Sequence, residues 1–156
     1  MKNKIRATEI ELVDNKGNVC ALFTTQDGNP IVSLFDAAGV SRAELKVEEE
    51  GPGLWFQDAN DTCRIALGLQ NGSPMLWLYG ENGKCRAGLM VRADAPHLQL
   101  LNTNDITRAE LVMLGDMPLL VLSDTKGKPV AHLTVLGDTP HLRFSDEKGN
   151  AIWCAP

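Results

Sequence analysis

Residues 74–95, PMLWLYGENGKCRAGLMVRADA, contain two runs of alternating apolar residues separated by a turn signal. Leu78 lies before Asn82-Gly83 and Leu89 lies after it. Alternate residues of a strand point to the same face. Asn-Gly is the strongest signal for a two-residue type I′ hairpin loop, because both loop positions need a positive φ. The segment therefore predicts a β-hairpin with one apolar face.

The same pattern recurs every 22 residues along the chain without an insertion. The turn column reads Gly17, Gly39, Asp61, Gly83, Asp105, Gly127 and Gly149. Nine residues earlier, proline occupies six copies at Pro30, Pro52, Pro74, Pro96, Pro118 and Pro140. A fixed period of this length is typical of repeat architectures. It predicts a single all-β domain over 1–156, with seven hairpin units at about 8–29, 30–51, 52–73, 74–95, 96–117, 118–139 and 140–156.

Apolar residues fill equivalent positions on both strands of each hairpin. Before the turn, one such column is Leu12, Leu34, Phe56, Leu78, Leu100, Leu122 and Phe144, and after it another is Phe23, Leu45, Leu67, Leu89, Leu111 and Leu133. Both sets share one face only if the loop between them holds an even number of residues. We therefore expect two-residue loops such as Ala38-Gly39, and we expect the shared apolar face to be buried.

Two topologies can accommodate this repeat: an antiparallel meander of about fourteen strands, or a parallel β-solenoid with one coil per unit. A solenoid would stack equivalent residues about 4.8 Å apart, and like charges at that spacing are disfavoured. One column is basic in four consecutive copies, which favours the meander: Arg42, Arg64, Arg86 and Arg108. To cover its apolar face, the sheet is expected to fold on itself as a sandwich or flattened spiral, or to pair with another copy.

The opposite face carries the candidate interaction residues. A two-residue loop would pair Phe35 with Arg42, Gln57 with Arg64, Tyr79 with Arg86 and Leu101 with Arg108, and then Trp55 with Ala66 and Trp77 with Gly88. The arginines are interpreted as a ladder on the sheet surface, with an anion-binding stripe as the alternative. The rings suggest packing or an oligomer contact, or else a sugar-binding platform. The predicted ligand or partner surface comprises Trp55, Trp77, Tyr79, Met75, Phe35, Arg42, Arg64, Arg86 and Arg108.

Other polar residues give no signature of catalysis. The aspartates three residues before the turn column are expected to accept hydrogen bonds from turn amides rather than to bind calcium. His97, His132 and His141 lack the close spacing of metal ligands, as do the four cysteines, which are expected to be free thiols. No nucleophile and base pair or phosphate-binding glycine loop is evident in the sequence. We expect no enzyme, no metal and no cofactor.

Composition restricts the partners. The chain is 44% hydrophobic and 22% charged, which is typical of a globular protein. A net charge of −5 argues against nucleic acid or an anionic membrane as a partner. The first residues lack the apolar stretch of a secretory signal, so a cytoplasmic location is expected, although virion components and non-classically exported proteins also lack such signals.

The unit can be written P-x-L-x-L-x-D-x-x-G-x-x-R-A-x-L-x-V, and the segments PIVSLFDAAGVSRAELKV and PMLWLYGENGKCRAGLMV show it clearly. In this pattern the chain resembles uncharacterised bacterial tandem-repeat proteins over nearly its whole length. It is more distantly similar to the tyrosine-aspartate repeats of large bacterial shells, although the tyrosine is usually Leu or Phe here. These resemblances imply a bacterial repeat protein, but no activity and no functional residues.

Two functions are therefore carried forward. The first is a non-catalytic structural or protein-interaction module, associating with itself or with another protein. Two features support this hypothesis: the predicted sheet has two free edges, and its outer face carries several apolar residues. These residues are Ile31, Phe35, Trp77, Leu101, Leu119 and Val121. The second is a module that binds a glycan or another ligand on the surface of Trp55, Trp77 and Tyr79.

Overall fold

The computed structural model describes residue 4 and residues 6–156, and no helix occurs among them. Fourteen strands follow one another in a single antiparallel sheet whose spatial order is the chain order. Their bounds are β1 (Ile10–Val13), β2 (Val19–Gln26), β3 (Asn29–Phe35), β4 (Ser41–Glu48), β5 (Gly51–Gln57), β6 (Cys63–Gln70), β7 (Ser73–Tyr79), β8 (Cys85–Arg92), β9 (Ala95–Leu101), β10 (Thr107–Leu114), β11 (Met117–Ser123), β12 (Pro129–Leu136), β13 (Thr139–Ser145) and β14 (Ala151–Ala155). The predicted meander is confirmed, and the parallel solenoid is wrong.

The chain forms two compact units, Met1–Gly72 with β1 to β6 and Ser73–Pro156 with β7 to β14. Within each unit, a described strand contacts only the strands that precede and follow it in the chain. Tight turns place each strand beside the last. Each unit is therefore an antiparallel meander in which neighbouring strands along the chain are also neighbours in space.

The leucine columns do share one face, as predicted. Leu34 lies opposite Ala21 on β2 and Ala43 on β4, and Leu45 lies opposite Val32 and Leu54. The same register recurs in the second unit, where Leu111 lies opposite Leu98 and Leu120. We call this side the leucine face and the opposite side the arginine face.

The expectation that the leucine face is buried is wrong. Leu34 is 50% exposed and Leu111 is 47% exposed. On the arginine face, Met90 is 5% exposed and Val112 is 4% exposed. The physical reason is that nothing is stacked on the leucine side chains within a unit, whereas the arginine face has side chains that cover their neighbours, as Trp77 covers Gly88.

The hairpin loops also differ from the prediction. In the first unit, Gly39 N donates to Asp36 O at 3.0 Å and Asp36 N donates to Val40 O at 3.0 Å. The loop is therefore three residues long, and only its last residue, Gly39, has a positive φ, at 78°. Phe35 then lies opposite Ser41 while Leu34 lies opposite Ala43, which leaves Arg42 as the extra residue of a β-bulge. A type I turn followed by a residue with positive φ, here Gly39, is a common three-residue hairpin. The bulge at Arg42 is a separate irregularity of the strand that follows.

The type I′ geometry occurs instead at the other connection of the repeat. Asp27 and Gly28 link β2 to β3 with φ of 52° and 84°, and Ala93 and Asp94 link β8 to β9 with φ of 48° and 63°. The flanking residues Gln26 and Asn29 pair directly across the turn. The primed turn was thus predicted correctly as a type and assigned to the wrong end of the hairpin.

Candidate functional site

The turn aspartates stabilise the loops, as expected. Asp36 Oδ1 accepts hydrogen bonds from Ala38 N at 2.9 Å and from Val40 N at 3.1 Å. The same pair of bonds is made at the turns of Asp14, Asp58, Asp124 and Asp146. Asn102 replaces aspartate in one repeat and makes both bonds through its amide oxygen. One oxygen of each of these carboxylates, Oδ1, is therefore already engaged by backbone amides.

These hydrogen bonds change the acidity of the turn carboxyls. The backbone amide of Val40 and the Arg42 guanidinium hold the pKa of Asp36 below its ordinary value. The backbone amides of Asn60 and Thr62 lower the pKa of Asp58. The Asn18 side chain does the same for the pKa of Asp14. A lowered carboxyl pKa means that the folded chain favours the charged form.

The arginine column links successive repeats. Arg42 Nη1 lies 3.1 Å from Asp36 Oδ2 in its own hairpin, and its Nε donates to the carbonyl of Gln57 in the next repeat at 3.1 Å. Arg108 Nε makes the equivalent bond to the carbonyl of Ser123 at 2.8 Å. This arrangement corresponds to the predicted surface ladder, with carbonyl and carboxylate oxygens as partners.

The side-chain partners of the arginine column differ between repeats, as Arg64 and Arg86 show. Arg64 Nη1 lies 3.2 Å from Asp58 Oδ2. In the repeat of Arg86, the position of the turn aspartate is Gly80, which has no side chain to accept a hydrogen bond. Arg86 Nη2 donates instead to Asn82 Oδ1 at 2.9 Å. Arg86 Nη1 also donates to the carbonyl of Asn102 at 3.0 Å.

The predicted partners of the arginines are wrong by one position. Phe35 lies opposite Ser41, Gln57 opposite Cys63, Tyr79 opposite Cys85 and Leu101 opposite Thr107. The bulge inserts each arginine between this pair and the next one, where the two-residue loop would have placed it directly opposite. For Arg42, Arg86 and Arg108, the geometry includes hydrogen bonds to backbone carbonyl oxygens of the next repeat.

Trp77 packs against its own unit. It lies opposite Gly88, as predicted, and a Cβ built at Gly88 would overlap its ring. Its Nε1 donates to Met75 Sδ at 3.0 Å, and Met75 lies opposite the buried Met90. The ring thus covers a glycine on the neighbouring strand and remains partly accessible.

The Trp55 ring covers a glycine of its own strand, whereas the Trp77 ring covers a glycine of the neighbouring strand. Trp55 lies opposite Ala66, as predicted, but its ring lies over Gly53 on its own strand. Lys46 Nζ lies 4.6 Å from the ring centroid and 2.7 Å from Glu48 Oε1. A cation already lies against this ring, and the use of Trp55, Trp77 and Tyr79 as a glycan platform stays a prediction.

The cysteines and histidines do not gather into a metal centre. All four cysteines are free thiols, and burial raises the pKa of the Cys63 and Cys85 thiols. His97 Nδ1 lies 3.1 Å from Glu110 Oε1. Within the part of the chain that the structure describes, no three His, Cys, Asp or Glu side chains are close enough to share an ion.

Depressions on the surface are small and open. In the first unit, one of about 290 Å³ is lined in part by Ile31, Lys46 and Glu48. In the second unit, one of about 230 Å³ lies beside His132 and His141. These two are below the usual size of ligand pockets, about 300–1,000 Å³. Another, of about 330 Å³ beside Leu114 and Leu136, is at the lower end of that range.

The leucine face is the surface that the sequence interpretation missed. Its strand residues, throughout the described strands, include no charged side chain, and Thr25 is the single polar one. Nine large side chains of the first unit are 39–64% exposed: Ile10, Leu12, Phe23, Leu34, Leu45, Val47, Phe56, Leu67 and Leu69. Nine of the second unit are 39–52% exposed: Leu78, Leu89, Leu98, Leu100, Leu111, Leu122, Leu133, Phe144 and Trp153. The sequence shows that these residues share a face, but not that the face is left uncovered.

The fold places the chain among antiparallel β-repeat proteins. No protein-family model matches it, and no curated protein sequence is significantly similar to it. None of the described residues belongs to a helix long and apolar enough to cross a bilayer. A function must therefore be proposed from the geometry of the two faces.

Proposed function

We propose that the chain is a non-catalytic structural module that associates with itself. The observation that carries this proposal is the leucine face, whose large apolar side chains are about half exposed in each unit. A large side chain presents about 150–200 Å² when fully exposed, so one unit leaves on the order of 700 Å² of apolar surface accessible on this face. The largest apolar patch on a typical monomer is about 300–600 Å².

The polar side chains support a structural role. Turn aspartates accept amide hydrogen bonds, and arginines donate to carbonyls of the next repeat. Groups that could act as acids, bases or anion ligands thus hold the hairpins together. A surface this apolar, on a chain whose polar groups stabilise its own turns, is best suited to contact with another protein surface.

The test is the mass of the protein in solution. We expect light scattering coupled to size-exclusion chromatography to give at least twice the 17.0 kDa of one chain, with a proportion of monomer that rises on dilution. A strictly monomeric protein at high micromolar concentration would contradict the proposal.

A further inference from the structure

We infer that the leucine face packs against the leucine face of a second copy of this chain. This inference rests on the proposed self-association and adds the surface that mediates it. Three surfaces could serve: the arginine face, the two sheet edges and the leucine face. They differ in how far their groups are already engaged within the chain.

The arginine face is largely occupied by contacts of its own. Met90, Val112 and Val121 are at most 9% exposed there, and Trp77 covers Gly88. Arg42 and Arg108 are bonded to carbonyls of the next repeat. A partner would have to displace these contacts before it gained its own.

The edges offer short rows of backbone groups. The outermost strands of the sheet are β1, with four residues, and β14, with five, whereas the strands between them have seven or eight. Glu11 adds a charge to β1. Short strands and edge charges are features that discourage edge pairing.

The leucine face can meet a copy of itself without burying a charge. Its described strand residues carry none, and the carboxylates and guanidinium groups lie at the turns or on the arginine face. Burying an unpaired charge in a contact is costly. Stacking leucine face on leucine face would leave every charged group of both copies in water.

The size and spacing of this face fit a second sheet. One unit offers on the order of 700 Å² of exposed apolar surface, and a stable interface buries about 800 Å² per partner. Packed sheets lie about 10 Å apart with interdigitating side chains. Because both copies carry the same 22-residue spacing, the leucine rows of one fit the grooves of the other, as a two-fold interface requires.

A lipid surface is the other apolar occupant to consider. The net charge of −5 opposes binding to anionic leaflets, which attract clusters of basic residues. A second copy has the same charge, but its carboxylates would lie on the far side of the contact. The charge distribution therefore favours the second copy.

The experiment compares substitutions on the two faces of the same strands. On β10, Leu111 faces the leucine side and is 47% exposed, while Leu114 faces the arginine side and is 48% exposed. On β12, Leu133 and Leu136 form the same pair at 47% and 50%. Lysine at these positions adds the same charge to either face and removes little packing from a single chain.

Both units are included in the two variants. The leucine-face variant carries Leu45→Lys, Leu67→Lys, Leu111→Lys and Leu133→Lys. The control carries Gln26→Lys, Gln70→Lys, Leu114→Lys and Leu136→Lys, whose positions are equivalent to one another in the repeat. Sedimentation equilibrium gives the dissociation constant, and circular dichroism establishes that each variant is folded.

We expect the leucine-face variant to dissociate at least about a hundredfold more readily than the wild type, because lysines would be buried unpaired. The control should keep the wild-type constant. If the lysine variant does not fold, threonine at the same eight positions repeats the comparison, since threonine is a good strand residue.

Each other outcome decides against the inference in a distinguishable way. If both variants associate like the wild type, or both dissociate alike, the face assignment is overturned and self-association stands. If the wild type is monomeric throughout, the proposed function fails as well. If a monomeric wild type floats with neutral phosphatidylcholine vesicles and the leucine-face variant does not, the face binds lipid instead.

Discussion

At the residue scale, the backbone conformation of a few turn positions explains which substitutions the repeat tolerates. Gly39 and its equivalents take a positive φ after a type I turn, and Asp61 and Asp105 do so at 58° and 61°. Aspartate tolerates this region better than most residues because its short side chain bonds locally. The turn column therefore contains only glycine and aspartate, because this position requires a positive φ.

Ala93 and Asp94 form a type I′ turn with two residues poorly suited to it, at φ of 48° and 63°. Ala93→Asn combined with Asp94→Gly should raise the free energy of unfolding by about 1–2 kcal/mol, because a left-handed conformation is costly for alanine. Urea denaturation measures the change. Gly28→Ala makes the reverse change, from glycine to alanine at a position with a φ of 84°. Nothing lies near the added Cβ, so any decrease in the free energy of unfolding would come from the backbone conformation alone. No change in either variant would contradict this account.

The turn carboxyls predict how stability depends on pH. The pKa values of Asp14, Asp36, Asp58, Asp124 and Asp146 are lowered in the folded chain by turn hydrogen bonds. Their contribution is complete above the ordinary value of 3.8 and is lost as the pH falls through the lower folded values. Urea midpoints should thus be level near neutral pH and fall in acid below about pH 4.

A substitution can separate this effect from general acid denaturation. Asp36→Asn keeps an oxygen for the turn amides, as Asn102 does, but loses the proton-linked contribution and the ion pair with Arg42. Its midpoint should therefore fall less steeply below about pH 4 than that of the wild type. Parallel curves for the two proteins would show that the carboxyl is not responsible.

At the element scale, the bulge at Arg42 explains how a three-residue loop is compatible with leucines on one face of both strands. A three-residue loop alone would send the leucines after the turn to the opposite face. The extra residue at Arg42 and its equivalents shifts the pairing by one and restores the shared face. The same bulge lets the arginine side chain reach the next repeat, so one irregularity sets both the face and the repeat-to-repeat bond.

The contact between Trp77 and Gly88 gives an element-scale prediction. Gly88→Ala would force the ring away, because the added Cβ overlaps it, and should lower the free energy of unfolding by about 1–3 kcal/mol. In a Trp77→Leu background the same change should cost less, since the two residues are in contact. Ala66 shows why alanine is acceptable opposite Trp55, whose ring lies over Gly53 instead. Additive losses in the double variant would count against this packing.

At the scale of the whole molecule, each strand within a unit contacts only its sequence neighbours. Stability in such an array is approximately a sum over repeats and their interfaces. Deleting 96–117, which contains β10 and all of β9 except Ala95, joins equivalent positions of two repeats, so the shortened chain should fold with a lower urea midpoint. Deleting 96–106 removes β9 alone and leaves β8 followed by β10, which run in the same direction and cannot form a hairpin. Circular dichroism should show β-sheet per residue close to that of the wild type in the first variant and less in the second. Equal losses in both would contradict a repeat-by-repeat fold.

Much of this fold could be predicted because the repeat samples the same pattern seven times. Single copies are ambiguous, but the columns fixed the strand count, the antiparallel order and the division into two faces. The Trp77 and Gly88 pair followed from register alone. The pairs at Arg42, Arg64, Arg86 and Arg108 did not, because a two-residue loop and a three-residue loop with a bulge give the same leucine pairing.

The sequence by itself determined the period, the antiparallel order and which residues lie together, since side chains alternate along any strand and a constant spacing fixes the register. Which face is covered was decided only by the tertiary structure. Alternation is the same whether Leu34 lies in a core or at a surface, and burial depends on what packs against it. Within each unit nothing is stacked there, so Leu34 is 50% exposed while Ser33, its neighbour on the other face, is 4% exposed.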